Sequence, residues 1–321
     1  MPRPGSAADA RRKLDRLRAL GSSPQLLPLV TELVQSERQP EVLLAALQVL
    51  ADSPQPALHD VLTARYEEFE RTGRRADAGG FVRAALLRAL EPIVLPGDIP
   101  LLVRAVALHE PTPQDAAAPT GVRAAALAAM LRLDPELAAY HAVVVLYDRR
   151  HTSQFTGEPA ATAARVLAAA GQEVALTGYV FAGGHPDVVA ECLRELRNLP
   201  PSVVAPLVEV ARAMRDETVA LGLCDFFVRH QPRDELRTAM VDFMRQEASN
   251  EVYYYLAAAI VAERRDDLLE ALAEVAREET GREKRKALRE ALSVRAADPA
   301  IAPLLDLVRE DSPPRRGRIG G

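Results

Sequence analysis

The chain has 321 residues, of which 48% are hydrophobic and 26% are charged, a balance typical of a folded globular protein rather than a disordered one. Aromatic residues make up only 4% and Trp is absent, while Ala and Leu supply most of the apolar side chains, which favours helices over strands. The net charge of −5 argues against constitutive binding to duplex nucleic acid, which requires cationic side chains along the phosphates.

The N-terminal segment is charged and amphipathic. Its pattern predicts a helix pair at about 7–21 and 24–37 and lacks the apolar core of a signal peptide. The longest apolar run, VYYYLAAAIVA from Val252, is far shorter than the roughly 20 residues that cross a bilayer. We therefore expect a cytoplasmic protein with no membrane partner.

A pattern of small and large apolar residues recurs along the rest of the chain. VRAALLRAL, from Val82, returns forty residues later as VRAAALAAM, from Val122. Looser copies begin at Val42, Ala161, Val188, Thr218, Val252 and Lys284, so that successive copies lie 27 to 40 residues apart. A second amphipathic stretch follows each copy and usually opens with Pro or Asp, residues that suit the first turn of a helix. The spacing predicts about nine helix pairs.

These segments resemble HEAT repeats, especially the short bacterial form, in which a VR-AAA-AL helix precedes a second helix that often starts at a Gly-Asp-Pro-like turn. VRAAA from Val122 with Asp134-Pro135 matches this pattern, and VRAA from Val82 with Gly97-Asp98 nearly does. The resemblance covers roughly residues 40 to 310 and is most specific between about 80 and 200. It implies an all-α protein, an α-solenoid of about eight to nine antiparallel helix pairs with the second helices on the concave side.

A stack of helix pairs buries each apolar face against the next pair and leaves solvent only at its two ends. We therefore expect one HEAT-like solenoid over residues 1–311, with a cap pair at 1–39 and repeats at 40–311. A flexible basic tail is expected at 312–321.

Three connections from a second helix to the next first helix are about ten residues longer than the others: 71–80, 109–120 and 149–158. Equivalent connections stack along one edge of a solenoid, so these three should form a contiguous loop ridge. Insertions on one face often mark the binding face of a repeat protein, although surface loops also lengthen at little free-energy cost. The candidate binding residues on the ridge are Arg74, Arg75, Arg149, Arg150 and His151.

The second helices of the middle repeats, such as LAAYHAVVVLYD and QEVALTGYVFAGG, are apolar over more of their circumference than a surface helix requires. If they line the concave face, they form an apolar groove suited to a partner helix or peptide. The alternative is that curvature buries them on all sides. The candidate groove residues are Tyr140, Tyr147, Tyr179 and Phe181.

The segment DRRHTSQFTGE, from Asp148, collects residue types found in active sites. It has no GxSxG turn and no helical or strand frame that would aim an acid at His151 or Ser153, so we predict no catalytic site. Instead, Thr156 or a neighbour is expected to start the next helix, with Glu158 and Pro159 in its first turn.

Metal-binding patterns are also missing from the local sequence. The six histidines have no mutual spacing of two to four residues, and there is no HExxH. Helical-repeat hydroxylases use recurring His-Glu pairs as iron ligands, and only His109-Glu110 has that form. Cys192 and Cys224 lie in apolar helical patterns without metal-ligand spacing and are expected to be buried thiols. We therefore expect no metal and no cofactor.

These observations favour a non-enzymatic scaffold or adaptor that binds a protein or peptide through the concave face and the loop ridge. Two alternatives stay open. One is a HEAT-like nucleic-acid-binding or DNA-repair glycosylase-type protein, which the absence of Trp and the nearly uncharged middle second helices disfavour. The other is a chaperone or lyase-like accessory protein. Fold resemblance does not choose among them, because function resides in sites placed on a fold.

Overall fold

The computed structural model of the chain describes residues 7–21, 23, 25–110, 119–230 and 234–308. These ranges contain eighteen α-helices and no strand, which confirms the all-α prediction for the described part of the chain. The basic tail expected at 312–321 lies outside the described residues. The helices are α1 (Ala7–Leu20), α2 (Leu26–Ser36), α3 (Pro40–Asp52), α4 (His59–Thr72), α5 (Phe81–Leu90), α6 (Ile99–Val106), α7 (Thr120–Leu133), α8 (Pro135–Leu146), α9 (Ala160–Ala169), α10 (Glu173–Ala182), α11 (Pro186–Glu195), α12 (Pro201–Ala213), α13 (Glu217–Arg229), α14 (Asp234–Gln246), α15 (Asn250–Glu263), α16 (Asp266–Glu278), α17 (Arg282–Ser293) and α18 (Ala302–Leu307).

The helices lie where the repeated pattern places them. All eight copies of the pattern fall in odd-numbered helices, from α3 to α17, and the second amphipathic stretches form even-numbered ones. Pro stands at the first position of α3, α8, α11 and α12, where its missing N–H leaves no hydrogen bond unmade. Side chains of Asp134, Asp216 and Ser249 accept backbone N–H groups at the starts of α8, α13 and α15.

The chain divides into two compact units, residues 1–172 and 173–321. In the first unit, α1, α3, α5, α7 and α9 pack in succession, and α2, α4, α6 and α8 pack against members of that row. In the second unit, α11, α13, α15 and α17 form one row, while α10, α12, α14, α16 and α18 form another. Neighbouring helices therefore pair within each unit; a single solenoid over residues 1–311 stays a prediction.

Small residues let helices of one row approach closely in the second unit. Gly222 of α13 faces Ala190 of α11 so tightly that a Cβ on Gly222 would lie 2.7 Å from the Ala190 Cα. Cys192 and Cys224 belong to the same two helices and are fully buried, as expected, and burial raises the pKa of both thiols. The described part of this unit thus uses both cysteines as core residues.

Candidate functional site

Within the described residues, the first of the three long connections (71–80, 109–120 and 149–158) contacts the second, and the second contacts the third, as expected for neighbouring connections of a ridge. A Cβ placed on Gly73, in the first connection, would lie 3.3 Å from Glu110 Oε1, in the second. The His109 ring, also in the second, lies 4.1 Å from the His151 ring of the third. Residues 111–118 of the second connection are outside the described part.

Arg83 joins the first connection to the second. Its guanidinium is fully buried and donates to Asp77 Oδ2 at 3.1 Å and to Glu110 Oε1 and Oε2 at 3.0 and 2.7 Å. Burial alone would lower the pKa of Arg83, but the hydrogen bonds to Glu110 and Asp77 outweigh it and hold the pKa above its ordinary value. Asp77 also accepts the backbone N–H groups of Val82 and Arg83, so this carboxylate caps α5.

Arg123 occupies the same position of the repeated pattern forty residues later and joins the end of α6 to the third connection. It is 2% exposed, and its Nε donates to Val106 O at 2.9 Å, at the end of α6. Its two terminal nitrogens donate to His151 O at 3.3 Å and to Asp148 Oδ2 at 3.1 Å. Burial lowers the pKa of Arg123, and the nearby charge of Asp148 opposes that change. One side chain therefore holds the third connection against the end of α6, three residues before His109.

A cluster of three side chains lies next to Arg123: His109, Asp148 and His151. His151 Nδ1 lies 2.8 Å from Asp148 Oδ1, and one ligand atom from each of the three residues lies within 4.8 Å of the others. Burial, then the positive charge of Arg123, lowers the pKa of His109, which favours the neutral imidazole. For Asp148, burial acts against ionisation, but hydrogen bonding to His151 and the charge of Arg123 hold its pKa below the ordinary value. A neutral imidazole and an ionised carboxylate are both competent metal ligands.

Sequence reasoning missed this cluster because it looked for local spacing. His109 and His151 are 42 positions apart, and only the packing of two connections brings them together. The expectation of no metal site rested on spacing within single segments, which cannot detect ligands from two connections. The repeated Val-Arg dipeptide was the one available signal, since it places Arg83 and Arg123 at the same position of two first helices, next to the ridge.

The third connection shows no hydrolytic arrangement among its described residues. His151 Nδ1 contacts Asp148, while Ser153 Oγ accepts the backbone N–H of Phe155 at 3.3 Å. Helix α9 begins at Ala160, and Glu158 Oε2 accepts the N–H of Thr162 at 3.1 Å. The helix therefore begins later than expected: Glu158 and Pro159 precede its first turn, and Glu158 caps the start of the helix through its side chain.

Helix α8 presents an apolar stripe to solvent. Tyr140 is 68% exposed and Val144 56% exposed, with Val143 and Tyr147 exposed beside them. These four residues, the α8 stripe, are spaced i, i+3, i+4 and i+7 and therefore share one face of the helix. Buried residues on its other side, among them Ala142 and Leu146, pack into the first unit. For α8 the sequence left a choice between exposed groove and buried core, and the structure shows an exposed face.

The prediction that Tyr179 is an exposed groove residue is wrong. Its ring is 1% exposed, so it is a core residue of the second unit and not a surface residue that meets a partner. The hydroxyl accepts the backbone N–H of His185 at 3.3 Å, and a Cβ on Gly184 would lie 2.4 Å from the same oxygen. The ring is buried because Gly184 leaves room for it. Phe181, on the same helix α10, is 42% exposed and stays a candidate.

The predicted arginines of the ridge are all exposed. Arg74 and Arg75 lie in the 3₁₀ turn Gly73–Arg75 after α4, and Arg149 and Arg150 lie in the turn Arg149–His151 after α8. The second turn follows Tyr147 after one residue, Asp148, so the α8 stripe ends close in sequence to these two positive charges. His151 is half-buried, in contact with His109 and Asp148.

No protein-family model matches the sequence, and no curated protein is similar to it. No helix in the described ranges is both long and apolar enough to cross a membrane. The resemblance to HEAT repeats therefore stays a proposal that rests on the repeated pattern.

Proposed function

We propose that this chain is a non-enzymatic scaffold or adaptor of the HEAT-like class that binds an amphipathic helix of a partner protein on the α8 stripe. The observation that carries the proposal is the exposure of Tyr140, Val143, Val144 and Tyr147 on one face of α8. A contiguous apolar face on a surface helix is a feature of helix-binding sites, where the partner supplies apolar residues at the same i, i+3, i+4, i+7 spacing.

The two positive charges beside the α8 stripe favour a partner helix that carries acidic residues. Arg149 and Arg150 are exposed and follow the last stripe residue after a single intervening Asp. A partner helix with acidic residues near one end would place them against these arginines, which favours one orientation and speeds association. The occupant is thus a helix with one apolar face and one acidic end, and the ridge contributes orientation more than affinity.

The partner segment is identified by photo-crosslinking from the stripe in cells that make the native chain. The crosslinking amino acid replaces Tyr140 or Val144 in separate variants, and Val294 serves as the control because it is 73% exposed and lies in the other unit. We expect the same partner segment from both stripe positions and none from position 294. Crosslinks only to a second copy of the chain, or none, would contradict the proposal.

A synthetic peptide of the crosslinked segment then tests the chemistry in vitro. Val144→Asp places an unpaired charge in the contact and should weaken peptide binding at least about tenfold, about 1.4 kcal/mol, whereas Val294→Asp should leave it unchanged. Arg150→Glu should slow association and reduce its dependence on salt. Because Val144 is exposed, circular dichroism and the thermal midpoint of Val144→Asp should match those of the unsubstituted chain. Binding of labelled duplex DNA in place of the peptide would favour the nucleic-acid alternative.

A further inference from the structure

The cluster of His109, Asp148 and His151 has the composition of a transition-metal site. Imidazole nitrogens and carboxylate oxygens are the ligands that Zn²⁺ and its first-row neighbours take, and three protein ligands leave a fourth position open. One such atom from each of the three residues lies within 4.8 Å of the others. Among the described residues, the His109 nitrogens have no hydrogen-bond partner, and the ring instead contacts His151.

The distances require little movement to admit an ion. In a tetrahedral site with ligands at about 2.0–2.1 Å, neighbouring ligand atoms lie about 3.3 Å apart. His151 Nδ1 and Asp148 Oδ1 are already 2.8 Å apart, so an ion can replace the proton between them with a shift of a few tenths of an ångström. His109 must approach further, which an exposed side chain on a surface connection can do.

Arg123 positions the residues of the cluster through hydrogen bonds. It bonds to Asp148 Oδ2, to the carbonyl of His151, and to the carbonyl of Val106 three residues before His109. A ligating carboxylate is ordinarily held by a second partner of this kind, which fixes its direction before the ion arrives. Asp148 keeps Oδ2 on Arg123 and has Oδ1 for the ion. The guanidinium charge opposes a cation, so we expect an affinity below that of structural zinc sites.

We propose that His109, Asp148 and His151 bind one divalent first-row transition-metal ion, with Zn²⁺ as the fitting example and a fourth position open to water. The site joins the second and third connections of the ridge, so the bound ion fixes them to each other. The proposal does not depend on the partner helix, because its ligands are not in the α8 stripe.

The test uses the full chain without an affinity tag, titrated with ZnCl₂ by calorimetry. We expect one ion per chain with a Kd tighter than about 0.1 mM. His109→Ala and His151→Ala should each weaken binding at least about tenfold. His141→Ala is the matched control, since His141 is a partly exposed histidine of α8 outside the cluster, and it should leave the Kd unchanged. Asp148→Asn is a secondary variant, because it also weakens the contact with Arg123.

Cobalt gives an independent readout, since Co²⁺ in a four-coordinate site absorbs visible light strongly. The native chain and His141→Ala should show these bands, and His109→Ala should lose them while its circular dichroism stays native. A Kd weaker than about 0.1 mM, or binding that survives both His109→Ala and His151→Ala, would overturn the proposal. Either result would leave the cluster as a packing contact between two connections, made by the His109 and His151 rings.

Discussion

At the residue scale, three of the eight copies of the repeated pattern hold an arginine at the second position, and in the first unit this arginine is buried and binds segments on both sides of its helix. Arg83 reaches Asp77 and Glu110, and Arg123 reaches Val106 O and Asp148. In the second unit, Arg285 holds the same frame position and donates to the carbonyls of Glu279 and Leu307. A buried cation remains stable only when its donors are satisfied, so the position requires acceptors from neighbouring segments. In these three copies the arginine therefore ties its own helix to a segment before it and a segment after it.

Removal of Arg83 should be strongly destabilising. Arg83→Met keeps much of the side-chain volume but leaves the Asp77 and Glu110 carboxylates without their cation, which costs about 3–5 kcal/mol of the free energy of unfolding. Chemical denaturation followed by circular dichroism measures the loss. The control is Arg104→Met, because Arg104 is half exposed in its pair with Glu70 at 3.0 Å and that pair should contribute at most about 1 kcal/mol. Equal effects of the two substitutions would contradict the role given to Arg83.

His59 should make stability depend on pH. Its Nε2 lies 2.8 Å from Asp98 Oδ2 and its Nδ1 lies 2.9 Å from Asp60 Oδ1. Burial acts to lower the pKa of His59, but the two carboxylates outweigh burial and raise it. Because the folded pKa lies above the unfolded value, protonated His59 contributes stability that is full below the unfolded pKa and is lost as pH rises through the folded one.

The measurement compares the free energies of unfolding of the native chain and His59→Gln across this range. The difference should be largest at about pH 5.5 and should shrink by about pH 8.5, on either side of an ordinary histidine pKa. His141→Gln provides a comparison of opposite sign, because burial lowers the pKa of His141 and the native residue therefore loses stability as pH falls. A constant difference for His59→Gln would show that His59 does not titrate with folding.

At the element scale, the helices could be predicted from sequence but the exposed side of the second helices could not. The repeated pattern predicted the odd-numbered helices, because small and large apolar residues at helical spacing indicate an α-helix and not a strand. Helices α8 and α10 are apolar nearly all round, so their periodicity does not show which face is buried. Tyr140 is exposed and Tyr179 is buried, although both occupy such helices. The difference depends on Gly184, which lies outside α10 and makes space for the Tyr179 ring.

Two helical glycines should respond to alanine in opposite directions. Alanine favours a helix over glycine by up to about 1 kcal/mol. A Cβ on Gly121 of α7 would make an ordinary 3.4 Å contact with the Ala84 Cβ, so Gly121→Ala should be neutral or stabilising. A Cβ on Gly222 would lie 2.7 Å from the Ala190 Cα, so Gly222→Ala should force α11 and α13 apart and cost about 1–3 kcal/mol. Thermal midpoints measure both effects, and a stabilising Gly222→Ala would refute the close approach of the two helices.

At the scale of the whole molecule, the repeat spacing predicted where the ridge lies but not what its residues do. The excess length of three connections indicated that they lie side by side. The contact between the His109 and His151 rings agrees with this for the second and third connections. The partners themselves come from different repeats, so no local pattern records that Asp148 faces Arg123 or that His109 faces His151. The candidate arginines of the ridge were identified from residue type, and the buried ones that hold it together were not. The exposed residues of such a ridge can thus be predicted from sequence more readily than its buried contacts.

Because the chain divides into two compact units, a substitution that destabilises one unit should leave the stability of the other unchanged. In stacked helix pairs, stability is a sum of terms within each pair and between nearest neighbours, so a local defect weakens adjacent pairs and fades with distance. We expect Gly222→Ala to speed amide hydrogen exchange in α11–α15 of the full chain while α3–α7 keep their native protection. Arg83→Met should do the reverse, with faster exchange in α5–α7 and no change in α13–α17. Hydrogen exchange read by mass spectrometry resolves the two regions in one experiment. If either substitution raised exchange equally in all helices, the chain would unfold as one cooperative body, and the division at residue 172 would have no energetic meaning.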